Sequence, residues 1–178
     1  MQSPVRLGLI LMTICIVAAG LLAFTNAKTG PIIAQNEQQQ LETALRELLP
    51  EAETFEPDEE EDKVFYRGRR GEAEVGIVAV FSQTGFGGLM KLALGVNKDG
   101  EVTGFQILQH AETPGLGAKI TEEEFICQFV GKSANDDFIL GQDIQGISGA
   151  TISSESVTDC VKTLAAEIRD KYDLGSNG

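Results

Sequence analysis

An apolar run from Leu7 to Phe24 constrains this chain more than any other feature of its sequence. The run is 18 residues long and contains no charged side chain. A helix needs about 20 apolar residues to cross the hydrocarbon core of a bilayer, so this run predicts one membrane-spanning helix. Arg6 precedes the run, and short basic flanks stay in the cytoplasm. We therefore expect residues 1–6 to be cytoplasmic, residues 7–24 to span the cell (inner) membrane once, and the following domain to be periplasmic or extracellular.

A cleaved signal peptide is the alternative interpretation of the same run. Thr25, Asn26 and Ala27 resemble a small-residue cleavage site, although the apolar stretch is longer than the core of a usual signal peptide. Both interpretations place the rest of the chain outside the cytoplasm.

The exported part is strongly acidic. All 27 acidic residues follow the apolar run, and from Lys28 onward 13 basic residues oppose them, which gives a formal charge of −14. Such a surface repels nucleic acid and anionic lipid headgroups. We therefore expect no nucleic-acid partner.

Metal and hydrolase chemistry have little support in the sequence. The one histidine, His110, has no companions at metal-ligand spacing, and no two cysteines are separated by two residues. No nucleophile, histidine and acid are recognisable as a set. Cys127 and Cys160 fall on the apolar sides of predicted helices, so we expect structural thiols, whether or not they pair. The sequence thus predicts no metal site.

The hydropathy pattern of the exported part predicts an α+β domain with an antiparallel sheet and flanking helices. A polar linker to about Gln35 and an acidic, solvated loop from Glu51 to Asp62 precede the sheet. Arg67, Arg69 and Arg70 are interpreted as a solvated turn at the start of a strand, with a partner-docking group as the alternative. The expected elements are a helix over residues 41–49, strands over 73–81, 89–96 and 102–108 with a turn at 97–100, a helix over 121–130 with a possible Thr121 cap, and a helix over 153–172.

One candidate site is the segment that runs from Ser148 to Ser154, directly before the long last helix. Gly149 and Ala150 have almost no side chain, so a large group can approach the Thr151 hydroxyl. The start of a helix presents unpaired backbone amides, which favour a phosphate. Ser153 or Ser154 could cap the helix or bind a phosphate oxygen. From these residues alone, an ordinary capping turn remains the alternative.

A second candidate site is the loop from Glu112 to Gly117. Pro114 fixes one backbone angle and the glycines permit conformations that other residues avoid. Such a loop can lay its backbone and the Leu116 side chain against a flat ring, although a rigid surface turn explains the same pattern. A third glycine-rich loop, over residues 84–88, lacks the spacing of a phosphate-binding motif and is interpreted as a turn entering a strand.

The order of a TGFGG turn, the segment HAETPGLGAKI and the segment GISGATISSESV resembles the FMN-binding domain family. Within that family, the chain is similar to the G subunit of the Rnf-type ion-translocating electron-transport complex, a relative of the C subunit of the sodium-pumping NADH:quinone oxidoreductase. The likeness covers the membrane segment and nearly all of the exported part. It implies a linker and helix over residues 25–60 and an FMN-binding domain over residues 61–174.

In this family, the threonine of the SGAT motif receives FMN from FAD through a phosphoester bond, which a separate flavin transferase makes. Matched residue by residue, Thr151 is the attachment point, and Ser148, Gly149 and Ala150 are its recognition context. The resemblance also implies a set of residues that line the isoalloxazine ring: Glu112, Thr113, Leu116 and Gly117.

The resemblance further implies a membrane-anchored electron carrier that is not catalytic alone. It would relay electrons as one subunit of a multi-subunit ferredoxin:NAD oxidoreductase that moves Na⁺ or H⁺. The alternatives are a stand-alone extracellular FMN carrier, a C-like subunit of a sodium-pumping NADH:quinone oxidoreductase, and a cofactor-free exported binding module that uses its glycine loops for protein contacts.

Overall fold

The computed structural model describes residues 4–60 and 63–175, and its first element is one long helix. This helix, α1, spans Pro4–Leu48. Among the described residues it is the one helix long and apolar enough to cross a membrane. Residues 1–3 of the expected cytoplasmic N-terminus, and residues 61–62 at the start of the expected FMN-binding domain, lie outside the described ranges.

The polar linker expected up to Gln35 is wrong, because α1 continues through it. Ala27, Lys28, Ala34 and Gln35 in this stretch are residue types that favour helix. Thr25 and Thr29 donate their hydroxyl hydrogens to the carbonyls four residues earlier, at 2.9 Å, so these polar groups are satisfied within the helix. Pro31 lies inside α1 and removes one backbone hydrogen bond. Polarity alone therefore did not interrupt the helix.

The contacts within the chain divide it into two compact units, Met1–Gln40 and Leu41–Gly178. The last turns of α1 belong to the second unit, where Ala44, Leu45 and Leu48 are buried. The helical spacing that predicted a helix over residues 41–49 reflects this burial.

The second unit is built on five antiparallel strands that pair in chain order. Three of them confirm predicted strands and extend them by one to three residues at their ends. The strands are β1 (Thr54–Glu59), β2 (Lys63–Arg70), β3 (Ala73–Thr84), β4 (Leu89–Asn97) and β5 (Val102–Gln109).

Strands β1 and β2 contradict the prediction of an acidic loop followed by a solvated arginine turn. Glu56 lies 3.4 Å from Arg69, and Asp58 lies 3.8 Å from Arg67, so the acidic and basic residues face one another across the two strands. Pro57 has no backbone N–H to donate. It is tolerated in β1 because this is the edge strand of the sheet, which has a neighbouring strand on only one side. The charges indicated solvent exposure but did not reveal that the two segments pair.

The sheet is covered on both faces, and alternation along β3 assigns side chains to them. Ile77, Ala79 and Phe81 belong to the main core, which also contains the apolar stripe of the last helix. Val78 and Val80 pack instead with the end of α1. The last helix, α3, spans Thr151–Tyr172 and confirms the prediction, beginning two residues earlier than expected. Its buried stripe is the predicted one: Val157, Cys160, Val161, Leu164 and Ile168.

The helix expected over residues 121–130 is mostly wrong. A short 3₁₀ helix covers Gly117–Thr121 and is followed by α2, which spans only Glu123–Ile126. Thr121 does not cap it, because its hydroxyl donates to the carbonyl of Ala118. The chain leaves the helix because Gly131 and Lys132 exchange backbone hydrogen bonds with Val102 at the start of β5. The acidic run predicted a helix start that tertiary pairing soon ends.

The two cysteines of the second unit differ in their environments. Cys160 is buried, and this burial raises the pKa of its thiol to about 12, which makes it unreactive at neutral pH. Cys127 is exposed, so its expected place on a buried apolar face is wrong. All three cysteines are free thiols, so Cys127 and Cys160 do not pair.

Candidate functional site

A tight turn leads into α3. The Ala150 N–H donates to the Ile147 carbonyl at 2.9 Å, and Gly149 adopts a φ of 82° between them. A Cβ atom at position 149 would also lie 2.9 Å from Leu116 Cδ1. The positive φ therefore favours glycine here, and the missing side chain also leaves room for the end of the Leu116 side chain.

Thr151 is the first residue of α3 and its side chain is exposed. In the described part of the chain, no side chain caps the start of this helix. The Ser153 hydroxyl donates to Glu112 Oε2 at 2.9 Å, and the Ser154 hydroxyl donates to the Ala150 carbonyl at 3.0 Å. The expectation that Ser153 or Ser154 caps the helix is therefore wrong. The helix start remains open at Thr151, and the capping-turn interpretation loses its basis.

Glu112 connects three segments that are distant in the sequence. Its side chain is 5% exposed. Glu112 Oε1 accepts a hydrogen bond from the Gly87 N–H at 3.1 Å, while Oε2 accepts the one from Ser153. A Cβ atom at Gly85 would lie 2.5 Å from Oε1, so the glycine loop between β3 and β4 packs directly on the carboxylate. Glu112 thus joins this loop to its own loop and to the start of α3.

These three segments enclose a cleft of about 270 Å³ beside Thr151. The cleft contains every residue that the family resemblance assigned to the flavin site except Ser148, which lies in a neighbouring polar cleft of about 390 Å³. The structure therefore brings together the two candidate segments, residues 112–117 and residues 148–154, which are distant in the sequence. The lining residues are Phe86, Glu112, Thr113, Leu116, Gly117, Gly149, Ala150, Thr151, Ile152 and Ser153.

Two lining residues were not predicted as site residues. Phe86 belongs to the glycine-rich loop that was interpreted as a simple turn, and Ile152 follows Thr151 in α3. Phe86 is 68% exposed and Ile152 is 54% exposed. A large aromatic side chain between glycines, in a loop that cannot bury it, was the signal that could have identified Phe86.

The arrangement suits a flat, largely apolar ring that carries an anionic group. Leu116, Ile152 and Phe86 supply exposed apolar side chains around the cleft, as ligand pockets commonly do. Gly117 leaves room for the Glu112 carboxylate, because a Cβ atom at position 117 would lie 2.4 Å from Glu112 Oε2. The start of α3 supplies amides and the positive end of the helix dipole beside the Thr151 hydroxyl. FMN has this combination of a flat ring and a phosphate, so the residues present fit it.

Metal ligands are not grouped in the same way. Across residues 4–60 and 63–175, no three side chains of histidine, cysteine, aspartate or glutamate come together as a possible metal site.

Two protein-family models match the chain. One, described as the FMN-binding domain, matches residues 85–166 and so contains the whole cleft. The other, described as the RnfG N-terminal region, matches residues 1–48, which include α1.

Similar proteins extend over most of the chain. The G subunit of an ion-translocating oxidoreductase complex from Methanosarcina acetivorans is 38% identical, and the match covers 85% of this chain and 87% of that protein. The G subunit of the Na⁺-translocating ferredoxin:NAD⁺ oxidoreductase complex of Acetobacterium woodii is 34% identical over 88% and 87%. The G subunit of the proton-translocating ferredoxin:NAD⁺ oxidoreductase complex of Clostridium ljungdahlii is 31% identical over 86% and 85%.

A solved structure supports the same fold. The crystal structure of Shewanella oneidensis NqrC aligns with a TM-score of 0.50 at 18% identity, covering 66% of this chain and 67% of that chain. The predicted α+β fold, with an N-terminal apolar helix, an antiparallel sheet and flanking helices, is confirmed.

Proposed function

Because the chain belongs to the family of G subunits of ion-translocating oxidoreductase complexes, we propose that it carries FMN covalently on Thr151 and relays electrons between other subunits of such a complex. The apolar helix and the FMN-binding domain make it a membrane-anchored flavoprotein subunit. Its electron-transfer role needs those partner subunits, so the chain is not catalytic alone. Transfer to or from ferredoxin and NAD⁺, coupled to Na⁺ or H⁺ movement, is the activity named for its relatives.

One observation carries the covalent part of the proposal. The Thr151 hydroxyl is exposed at the edge of an apolar cleft and at the open N-terminus of a 22-residue helix. The nearest serines of the helix are buried and engaged elsewhere. A phosphoester at Thr151 would place the phosphate beside the backbone amides that no side chain caps in the described structure.

The remaining residues of the cleft would bind and orient the cofactor. FMN supplies electron-transfer chemistry when bound. Leu116 and Ile152 offer apolar side chains to the faces of the ring, and Phe86 reduces the access of water to it. Gly149 and Ala150 leave room at the attachment point, while Thr113 and Gly117 lie along the cleft with Glu112. Ser148 lies outside this cleft, and a flavin transferase would contact it during recognition of the motif.

The mass of the intact protein tests this function. After co-expression with a flavin transferase, we expect the purified chain to gain the mass of one FMN, bound as an ester, that survives acid precipitation. Flavin that separates from the chain on denaturation would contradict the covalent attachment. A chain that binds no flavin at all would contradict the electron-carrier function and leave a cofactor-free binding module.

We also propose that the FMN domain lies outside the cytoplasm. Arg6 precedes the apolar part of α1, and basic flanks of short N-termini remain inside. We expect protease added to intact cells, stripped of any outer wall, to digest the domain and leave a membrane-protected N-terminal fragment. Protection of the domain until the membrane is opened by detergent would overturn this orientation.

A further inference from the structure

The segment that precedes Thr151 is held by a side chain far from it in sequence. Residues 145–147 form neither helix nor strand in the described structure. Gln128 nevertheless pairs with Gln145 as a neighbouring strand would. The Gln145 N–H donates to Gln128 Oε1 at 2.6 Å, and Gln128 Nε2 donates to the Gln145 carbonyl at 3.3 Å. One carboxamide thus satisfies both backbone groups of a residue six positions before Thr151.

The position of Gln128 is itself fixed by the core. It follows α2 and lies between Phe125 and Phe129, which are 3% and 0% exposed. The two phenylalanine rings are 5.4 Å apart and also contact Phe105 of β5. Because the phenylalanine cluster fixes the position of Gln128, the hydrogen bonds of Gln128 also fix the backbone at Gln145.

The other end of the segment is held from within α3. The Ser154 hydroxyl accepts a hydrogen bond from the Ile147 N–H at 3.1 Å and donates to the Ala150 carbonyl. Ser154 thereby joins both ends of the turn before Thr151. Between Gln145 and Thr151, the chain is fixed at one end by Gln128 and at the other by Ser154.

We propose that Gln128 is a positioning residue for flavin transfer, because its carboxamide holds the backbone at Gln145 and so presents Thr151 in a fixed place. The inference rests on the covalent attachment proposed above. In the transfer, the Thr151 oxygen bonds to the phosphorus of the FMN half of FAD as the pyrophosphate bond breaks. AMP leaves, and the hydroxyl proton passes to a base of the transferase. An acceptor that is already ordered avoids the entropy cost of ordering it at this step.

The polar cleft beside the segment is consistent with this role. Its lining includes Gln128, Gln145, Gly146, Ile147 and Ser148, and it shares no lining residue with the cleft proposed for the ring. Ser148, which the sequence assigned to recognition, is exposed there. The backbone that Gln128 holds is therefore also a surface that a transferase can contact.

The test compares Gln128→Ala with the matched control Gln142→Ala in the full chain. Gln142 is exposed in the loop before Ile144, and its backbone N–H, which the substitution keeps, donates to the Ile139 carbonyl. With purified transferase and FAD, we expect Gln128→Ala to lower the initial rate of covalent FMN transfer about tenfold or more, since both hydrogen bonds to the Gln145 backbone are lost. The same final yield on Thr151 is expected at long times, because the hydroxyl remains. Hydrogen exchange at the Gln145 amide should accelerate, while exchange within α3 and the melting temperature stay close to those of the control.

The outcomes separate this inference from the function on which it rests. Wild-type protein that takes no covalent FMN would overturn the proposed function itself. If the wild-type protein is modified and Gln128→Ala is modified as fast as Gln142→Ala, the role of Gln128 is overturned, but the proposed function is not. If Gln128→Ala melts at a lower temperature, the transfer rate of Gln128→Glu is the deciding measurement. Glutamate keeps the size of the side chain and the acceptor for the Gln145 N–H, but it has no N–H to donate to the Gln145 carbonyl. Slow transfer in Gln128→Glu supports the role, and a transfer rate equal to that of the control overturns it.

Discussion

Replacement of Thr151 with valine is expected to abolish covalent FMN while leaving the fold unchanged. A phosphoester needs a hydroxyl, and valine keeps the shape and β-branching of threonine without one. Because the side chain is exposed at the first position of α3, the free energy of unfolding should change by only about 0.5 kcal/mol. The measurement is the mass of the peptide that contains residues 148–154, with fluorescence of the denatured protein band as a rapid check.

The neighbouring hydroxyls provide the controls for this prediction. Ser153 and Ser154 are 2% and 0% exposed and are engaged in hydrogen bonds, so Ser148 is the exposed serine beside Thr151. Ser148→Ala should slow the modification without moving it. Thr151→Ser should keep part of it, because a hydroxyl remains. Covalent FMN that persists in Thr151→Val, or that maps to Ser148, would falsify the assignment.

Replacement of Glu112 with alanine is expected to lower the free energy of unfolding by about 2–4 kcal/mol and to remove flavin binding. The substitution leaves the buried Ser153 hydroxyl and the part-buried Gly87 N–H without their acceptor, and an unpaired buried group costs about 1–3 kcal/mol. The glycine loop and the start of α3 then lose the contact that joins them. Denaturant unfolding of the full chain in detergent measures the change in stability, and the covalent FMN content after co-expression with a flavin transferase measures the loss of flavin.

Glu112→Gln separates the shape of the cleft from its charge. The glutamine oxygen can still accept from Gly87, and its NH₂ group can donate to the Ser153 oxygen once that hydroxyl turns. We expect near-normal stability and flavin content, with a higher midpoint potential because a negative charge beside the flavin is removed. Glu155→Gln, at an exposed position of α3, is the matched control for loss of one charge. An unchanged potential in Glu112→Gln, or full stability in Glu112→Ala, would contradict the role assigned to Glu112.

The sequence alone identified the elements whose side-chain pattern is periodic and strong. The charge-free run predicted the apolar part of α1, and alternating or continuous apolar residues predicted β3, β4 and β5. The stripe from Val157 to Ile168 predicted α3 and its buried face. These elements follow from local burial, which leaves a direct trace in the order of polar and apolar residues.

The sequence also contained the motifs of the site, but their resemblance to a family was needed to interpret them. From residues alone, the SGAT segment was interpreted first as an ordinary capping turn, and the glycine loop around Phe86 was interpreted only as a turn. The contacts of Ser153 and Ser154 removed the first alternative. The hydrogen bond from the Gly87 N–H to Glu112 connects the glycine loop around Phe86 to the site.

Only the tertiary structure decided the elements and contacts that depend on residues distant in the chain. β1 and β2 became strands because acidic and basic segments pair across the sheet edge, and Tyr172 at the end of α3 donates a hydrogen bond to Asp58 of β1 at 2.9 Å. The helix expected over residues 121–130 stopped early because backbone at 131–132 pairs with β5. Glu112 and Gln128 act on groups 17 to 41 residues away. A polar side chain shows in its sequence position that it can form hydrogen bonds, but its partner is set by the fold that brings the two groups together.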